Sequence, residues 1–271
     1  LFSVLFIGLI GLALVSSVSH AAGTIKIGLV DSYSGAAAVF GIDMRDGFTK
    51  RIMLDSGGVA VVMAAGMELV RTQQARAALR LAFDVGGSFV KAGLVHIESG
   101  LVMGETLRRA TPAGAAPEAV LELLVAMARD LPSSGPVGLA FPAVAKQGVA
   151  WTAANIDKRW IGMNVQGHMQ ARLQRPVAFL NDADAAGIAE MTLGAGRDRA
   201  GTVMVITLGT GIGTALFVDG RLLPNTELGH LEVRGKEAEH RASAKVRADL
   251  DLDWVAWAAA VNEVLEAYHS L

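Results

Sequence analysis

The chain opens with an apolar run that differs from everything after it. Residues 1–15 are apolar except for Ser3, and no Lys, Arg, Asp or Glu precedes Lys26. A membrane-spanning helix needs roughly 20 apolar residues, whereas this run ends in a stretch of mostly small residues, 16–22. Such residues suit cleavage by signal peptidase after Ala21, so the pattern predicts a signal peptide over 1–21, with a membrane segment as the alternative.

The next residues predict short elements without a recognisable site. Residues 24–31 alternate between apolar and polar positions, which predicts a strand. A turn over Ser32–Gly35 and a helix over 36–50 follow. Residues 51–78 contain no motif, and Arg71–Arg80 predicts a basic helical linker. The pattern therefore separates a fragment 22–50 and a linker 51–78 from the rest of the chain.

Two later stretches share the pattern of an apolar strand, a glycine turn and a second strand. The first covers Leu81–Val95, and the second, Thr207–Val218, aligns with residues 84–95 without a gap. After the second stretch, Asp219-Gly220 predicts a hairpin turn into residues 221–223. The repeat predicts two similar halves, 79–184 and 185–271, whose glycine turns face one cleft.

Glycine turns of this kind favour phosphate binding. Without a Cβ, backbone N–H groups can approach phosphate oxygens closely, and a nearby carboxylate can hold a divalent cation through water. Asp84 is the candidate ligand for Mg²⁺. An ordinary β-hairpin is the alternative for either turn taken alone. The predicted phosphate-binding residues are Asp84, Gly86, Gly87, Ser88 and Lys91 in the first stretch and Gly209, Thr210 and Gly211 in the second.

Composition narrows the possible chemistry. The 271 residues include 24 Lys and Arg and 26 Asp and Glu, a formal charge of −2. The chain therefore has no overall basic field to hold nucleic acid or an anionic membrane. It contains no cysteine, which excludes disulfides, thiolate nucleophiles and cysteine-ligated metal centres.

From Leu81 onward the motifs resemble those of the ROK sugar kinases, and most closely the polyphosphate-glucokinase branch of that family. The motifs lie at 138–148, 152–162, 181–186 with Glu190, 227–230 and 238–243. The resemblance implies an α/β fold of the duplicated actin-like ATPase (ribonuclease H-like) type. It also implies phosphoryl transfer from polyphosphate or ATP, with Mg²⁺, to the 6-hydroxyl of glucose, by a cytoplasmic kinase that is a homodimer when complete. The sugar-binding residues that it implies are Asn155, Asn181, Glu227, His230 and Glu239.

Asp182 is the predicted catalytic residue. Residues 176–180 predict a strand that brings Asn181 and Asp182 to its carboxyl end, and a helix over 183–193 follows directly. A carboxylate at this place can take the proton of a sugar hydroxyl during phosphoryl transfer, a role worth roughly 10²–10⁴ in rate. The alternative role of Asp182 is that of a helix N-cap.

The chain departs from the resemblance in two respects. Most ROK members follow the Glu-x-Gly-His motif with a three-cysteine zinc motif, so in this cysteine-free chain we expect no zinc and leave His230 for the sugar. Family members also continue beyond a helix like the one predicted from Trp254, so we expect an incomplete second half whose last helix lacks a packing partner. Five basic residues are candidates for a track along a polyphosphate chain, with solvated surface charges as the alternative: Lys146, Lys158, Arg159, Arg234 and Lys236.

Residues 1–50 resemble a different class of protein, the signal peptide and mature N-terminus of periplasmic solute-binding proteins of the branched-chain amino-acid type. An export signal contradicts a kinase body whose donors are cytoplasmic. The alternatives to an active kinase are therefore an inactive or export-targeted fusion, or a sugar-sensing regulator of the ROK family. Such a regulator needs a DNA-binding helix-turn-helix, and residues 51–79 carry no such pattern.

Limited proteolysis should cut the chain within 71–80 and release a compact fragment that begins near Leu79. The reason is that the phosphate motif starts only at Leu81, whereas the preceding residues have the pattern of another protein. N-terminal sequencing and mass spectrometry of the fragments measure the cut. Protection of residues 24–50 throughout the digestion would contradict the separation of the two parts.

Overall fold

The computed structural model describes residues 79–271 except Asn155, together with the backbone of three strands within the first 43 residues. Two compact units emerge from the contacts of the chain. The central unit comprises residues 53–185, and the C-terminal unit comprises residues 186–271 together with residues 1–52.

Strands and helices alternate in both units. The strands are β1 (Phe2–Gly8), β2 (Lys26–Val30), β3 (Val39–Asp43), β4 (Leu79–Val85), β5 (Phe89–His96), β6 (Leu101–Ala110), β7 (Val137–Phe141), β8 (Ala145–Lys146), β9 (Val149–Ala150), β10 (Val177–Asn181), β11 (Thr202–Leu208), β12 (Ile212–Val218), β13 (Arg221–Leu223), β14 (Glu232–Val233) and β15 (Lys236–Glu237). The helices are α1 (Pro117–Asp130), α2 (Val165–Leu173), α3 (Asp182–Leu193), α4 (Ala238–Ala242), α5 (Ala244–Asp249) and α6 (Trp254–His269).

The central unit is built on a five-stranded sheet with the order β10-β7-β4-β5-β6. Strands β4, β7 and β10 are parallel, whereas β4, β5 and β6 form an antiparallel meander. Alternate residues of β4 are buried, as expected for a strand with one face on the core. Trp160 lies within that core at 4.7 Å from the Phe141 ring, and its indole N–H donates to the carbonyl of Ala115 at 2.8 Å. Parallel pairing therefore brings the carboxyl ends of β4, β7 and β10 to one edge of the sheet.

The C-terminal unit repeats part of this arrangement in a sheet with the order β1-β11-β12-β13. Strands β11, β12 and β13 form an antiparallel meander like β4, β5 and β6. The backbone of β1 pairs in parallel with β11, in the position that β7 has beside β4. The two predicted hairpins thus occupy equivalent places in two similar sheets, and the predicted duplication is confirmed.

The first 78 residues fit the sequence predictions only in part. The strand predicted over 24–31 is confirmed as β2, but the helix predicted over 36–50 is wrong, because β3 pairs there with β2 in an antiparallel hairpin. Val39, Phe40 and Ile42 are β-branched or aromatic, which favours a strand. The pairing of β1 with β11 attaches part of the predicted signal peptide to the C-terminal sheet. The rest of that segment and the linker 51–78 lie outside the described residues, and the domain boundaries drawn from the sequence stay predictions.

Helix α6 has a packing partner, contrary to the sequence prediction. Trp257, Val261, Val264 and Tyr268 are buried in the core beside β11 and α4. Val255, near the start of this helix, is 79% exposed. In the described part of the chain, every helix is too short or too polar to cross a bilayer.

Candidate functional site

Asp84 and Lys91 form an ion pair across the first glycine hairpin. Their side chains face each other in the register of β4 and β5, with Lys91 Nζ 3.2 Å from Asp84 Oδ2. The Asp84 side chain is 51% exposed near the end of β4. Mg²⁺ in phosphoryl-transfer sites usually keeps several waters and takes one or two carboxylates besides phosphate oxygens. A single accessible carboxylate such as that of Asp84 fits that chemistry. The Mg²⁺ role of Asp84 stays a prediction.

The turn after β4 is closed by the first of its two glycines. The N–H of Gly86 donates to the carbonyl of Phe89 at 2.9 Å, and the Thr111 hydroxyl donates to the carbonyl of Gly86 at 2.6 Å. Gly87 and Ser88 lie exposed at the tip of the turn. The N–H of Gly86 is therefore used inside the protein, and donors for a phosphate would come from Gly87 and Ser88.

The second glycine turn is also closed by a hydrogen bond from the N–H of its first glycine. The N–H of Gly209 donates to the carbonyl of Gly211 at 3.0 Å, and the carbonyl of Gly209 accepts the N–H of Lys245 at 3.1 Å, which fixes the start of α5. Thr210 is exposed at the tip. In both hairpins the first glycine closes the turn, which leaves the following residues for a ligand.

Asn181 and Asp182 lie at the end of β10, but their side chains do different things. The buried Asn181 side chain accepts the N–H of Asp184 at 3.0 Å and donates to the carbonyl of Ala143 at 3.2 Å. Asn181 is therefore the N-cap of α3. Asp182 is exposed, and its Oδ1 accepts the N–H of the next residue at 2.8 Å. The N-cap role considered for Asp182 thus belongs to Asn181, and the Asp182 carboxylate remains accessible at the strand end.

Glu190 supports the end of the same helix. Its side chain is buried, and Oε2 accepts the N–H of Ala195 at 3.1 Å. Burial raises the pKa of the Glu190 carboxyl above its usual range. These contacts give Glu190 a structural place within the motif that resembles a catalytic segment.

The loop that carries Glu227 and His230 is pinned from two sides. The buried Thr214 hydroxyl accepts the N–H of Leu228 at 3.0 Å and lies 3.0 Å from the Thr226 hydroxyl. From α6, the Tyr268 hydroxyl donates to the carbonyl of Leu228 at 2.8 Å. Sequence reasoning missed these positioning residues, because a threonine in a strand and a tyrosine in a helix carry no local signal for a loop contact.

Three carboxylates surround His230. Nδ1 lies 3.2 Å from Glu237 Oε2 and 3.8 Å from Glu239 Oε1, and Nε2 lies 3.9 Å from Glu227 Oε2. His240, which the sequence did not single out, also lies within 4 Å of Glu237 and Glu239. The structure therefore brings three predicted sugar-binding residues, Glu227, His230 and Glu239, into one acidic cluster.

This arrangement shifts the titration of two members of the cluster. Burial opposes the charged form of His230, but the hydrogen bond with Glu237 and the charges of the three carboxylates outweigh it and raise the pKa of the imidazole. Burial raises the pKa of Glu227, partly offset by His230 and increased by Glu239. Glu227 and His230 therefore bind protons more tightly than the isolated side chains do.

Two glycines let the second turn, the loop and α4 come close together. A Cβ on Gly229 would lie 2.0 Å from the carbonyl oxygen of Ile212, and a Cβ on Gly211 would lie 2.3 Å from Glu239 Oε2. The phosphate turn predicted around Gly211 and the carboxylate of Glu239 are therefore in direct contact.

The cluster also contains groups that a cation can use. Ligand atoms of His230, Glu237 and Glu239 all lie within 4.8 Å of one another. The expectation of no zinc rests on the missing cysteines and stays a prediction.

The predicted basic track is partly committed to local contacts. Lys158 donates to the carbonyl of Ala153, and Arg159 pairs with Asp157 at 2.6 Å. Arg234 pairs with Glu263 at 2.9 Å. A polyphosphate chain along this track would have to compete with these partners. Asn155, the remaining predicted sugar ligand, lies outside the described residues.

The chain is similar to known proteins over most of the described residues. Residues 80–244 match the sequence model of the ROK family. The polyphosphate glucokinase of Mycobacterium tuberculosis (strain CDC 1551 / Oshkosh) is 45% identical over 185 residues, which cover 68% of this chain and 70% of that protein.

Solved structures are similar over a comparable share of the chain. The inorganic polyphosphate/ATP-glucomannokinase from Arthrobacter sp. strain KM has a TM-score of 0.68 at 42% identity, covering 71% of this chain and 79% of that one. A ROK family glucokinase from Streptomyces griseus, solved with glucose and AMPPNP, has a TM-score of 0.55 at 28% identity. The match covers 64% of this chain and 62% of that one. These similarities confirm the predicted actin-like ATPase fold.

Replacing His230 should flatten the pH dependence of stability near neutrality. Its raised pKa stabilises the fold fully below the unfolded value of about 6.5, and this contribution is lost as the pH rises through the folded value. In His230→Gln, the melting temperature should therefore fall less between about pH 6 and about pH 8 than in the wild type.

Thermal unfolding at constant ionic strength measures this difference. His168→Gln is the matched control, because His168 contacts the Arg172 guanidinium at 3.3 Å and not a carboxylate. The same pH slope in the wild type and in His230→Gln would contradict the role of the cluster.

Proposed function

Because this chain belongs to the ROK family, we propose that it transfers a phosphoryl group from polyphosphate or ATP to the 6-hydroxyl of glucose. The observation that carries this proposal is the accessible carboxylate of Asp182 at the end of β10. Asn181, and not Asp182, is the N-cap of α3. The 45% identity to a polyphosphate glucokinase and the similarity to a glucomannokinase support the substrate and both donors.

In this proposal Asp182 is the general base. It accepts the proton of the 6-hydroxyl while the hydroxyl oxygen attacks the terminal phosphorus of the donor. The bond between that phosphorus and the bridging oxygen breaks, and its electron pair leaves with the shortened polyphosphate or ADP. The packing of Asn181 and Ala183 on either side of Asp182 supports the role, because both neighbours are buried and hold the carboxylate at the strand end.

Each glycine turn offers groups that suit a phosphate, namely N–H groups with the Ser88 hydroxyl in the central unit and N–H groups with the Thr210 hydroxyl in the C-terminal unit. Lys91 would offset phosphate charge beside Asp84, from which it is 3.2 Å away. Mg²⁺, when bound at Asp84, would neutralise the phosphate oxygens. Its involvement, a homodimer and a cytoplasmic site of action belong to this proposal, since ATP and polyphosphate are met inside the cell.

The acidic cluster is the proposed sugar-binding part. Glu227 and Glu239 would accept hydrogen bonds from sugar hydroxyls, and the His230 imidazole, held by Glu237, would present its other nitrogen. Acceptors fixed in this way discriminate strongly, because a sugar that lacks the matching hydroxyl leaves a buried polar group unpaired.

A coupled assay of glucose 6-phosphate formation with either donor tests the function and the base together. Asp182→Asn should lower kcat about 100-fold or more with little change in the glucose KM, since the shape and the Oδ1 acceptor are retained. Asp219→Asn is the matched control, because Asp219 also accepts a backbone N–H, from Gly201 at 2.9 Å, in the β12–β13 turn.

Two results would contradict this proposal. Absence of product with both donors in a folded wild-type protein would remove the proposed activity. Near-normal turnover in Asp182→Asn would leave the activity standing and remove Asp182 from the proton transfer.

Substitution of Gly211 should disturb sugar binding through Glu239. In Gly211→Ala the new methyl group would lie 2.3 Å from Glu239 Oε2, so the carboxylate must move. We expect the glucose KM to rise about tenfold, the effect of losing one hydrogen bond to a charged group. Gly209→Ala is the control, because its methyl group has no atom within 4 Å among those described. Equal glucose KM values in the two variants would contradict the contact.

A further inference from the structure

Lys245 is attached to the second glycine turn through its backbone. Its N–H donates to the carbonyl of Gly209 at 3.1 Å. Two residues earlier, the Ser243 side chain accepts the N–H of Val246 at 3.3 Å and fixes the first turn of α5. These two bonds hold the backbone of Lys245 beside the turn 209–211, whichever way its side chain points.

The Lys245 ammonium has a partner that a stronger anion can replace. It donates to the Asp249 carboxylate, four residues later on the same helix, and each of the two side chains is 56% exposed. Exposed ion pairs at this spacing stabilise a helix only slightly, and the order with the lysine first is the less favourable one. A phosphate chain carries several negative charges, so it can compete with Asp249 for the ammonium.

A phosphate chain at this turn needs a nearby cation. Glu239 lies against the turn, since a Cβ on Gly211 would lie 2.3 Å from its Oε2. The turn itself offers N–H groups and the Thr210 hydroxyl, which carry no net charge. Repulsion between Glu239 and the phosphates would therefore oppose binding unless a positive charge offsets it.

The two repeats supply that cation from different elements. In the first hairpin, Lys91 faces Asp84 at 3.2 Å. In the gapless alignment of residues 84–95 with 207–218, Thr214 takes the position of Lys91, and its hydroxyl is used to hold the N–H of Leu228 at 3.0 Å. The second hairpin thus lacks the lysine of the first. Lys245, from the helix bonded to its turn, is placed to replace it.

We propose that Lys245 leaves Asp249 and binds an oxyanion of the phosphoryl donor at the second glycine turn, where the oxyanion belongs to ATP or to polyphosphate. The inference rests on the proposed function, because that proposal brings the donor to the turn. It deepens the proposal by naming a residue that sets the affinity for the donor. Lys245 has no part in the proton transfer or in sugar binding.

Calorimetric titration of the full-length protein with sodium tripolyphosphate and, separately, with ATP measures this affinity without turnover. Glucose is absent, and Mg²⁺ and ionic strength are held constant. Lys245→Gln should raise the dissociation constant about tenfold, because a hydrogen bond to a charged group is lost. Asp249→Asn should lower it about twofold, because the competing carboxylate is gone while Lys245 is kept.

Arg221→Gln is the matched control, since it also removes one exposed positive charge from the C-terminal unit. Arg221 pairs with Val218 at the far end of β12. Six residues separate Ile212, which follows the turn, from Val218, or roughly 20 Å at about 3.4 Å per residue. The control should bind both titrants as the wild type does.

Opposite shifts in Lys245→Gln and Asp249→Asn would support a ligand contact, because loss of a merely structural ion pair would affect both variants in the same direction. An effect with one titrant alone identifies the source of the oxyanion. Three results would overturn the role of Lys245: no binding of either titrant to the wild type, equal dissociation constants in the wild type and Lys245→Gln, or the same weakening in Arg221→Gln or Asp249→Asn.

The coupled assay separates this inference from the proposed function. In Lys245→Gln the KM for the donor should rise about tenfold, with the glucose KM unchanged. Absence of turnover in the folded wild type, with the donor affinities of the variants still in the expected order, would remove the proposed activity and leave the role of Lys245 in place. Turnover with an unchanged donor KM in Lys245→Gln would do the reverse.

Discussion

The parallel pairing of β4, β7 and β10 is the constraint on which the central unit depends. Because parallel strands point the same way, everything that follows each strand is gathered at one edge and everything that precedes it at the other. The carboxyl edge receives Asp84 with its glycine turn and Asp182 with its helix. The amino edge receives Arg80 and Arg175. One backbone arrangement therefore gathers the candidate carboxylates at one edge of the sheet.

In the C-terminal unit, two glycines allow neighbouring segments to pack closely against each other. The loop 226–230 can rest on the turn before β12 because Gly229 leaves room for the Ile212 carbonyl, and Glu239 can reach the turn because position 211 has no side chain. Thr214 and Tyr268 then hold the loop by hydrogen bonds to the backbone of Leu228. The acidic cluster is stable only as part of this packing, since three carboxylates around one imidazole would repel one another in the absence of a positive charge.

Several charged side chains of this protein form ion pairs with nearby side chains of opposite charge. The formal charge of −2 hides local ion pairs, and two of the five cations of the predicted track lie in such pairs, Arg159 with Asp157 and Arg234 with Glu263. Exposed pairs of this kind contribute little to stability, so an anionic ligand can replace one partner at small cost. Arg175 differs, because in the described part of the chain the partners of its guanidinium are a carbonyl and a hydroxyl.

The sequence by itself determined the repeat, the strand that leads to Asp182 and the glycine turns, because each is a local pattern of apolar residues and glycine. It also indicated the family of kinases to which the chain belongs. Local pattern could not decide whether Asn181 or Asp182 caps α3, since both residue types are good N-caps and only the packing of Asn181 against Ala143 selects one. It predicted a helix where β3 lies, because strand pairing with β2 is not visible in a single segment. Tyr268, His240 and Arg175 were missed for the same reason. Their partners are distant in the sequence or lie on other elements, so only the tertiary structure gives these side chains a role.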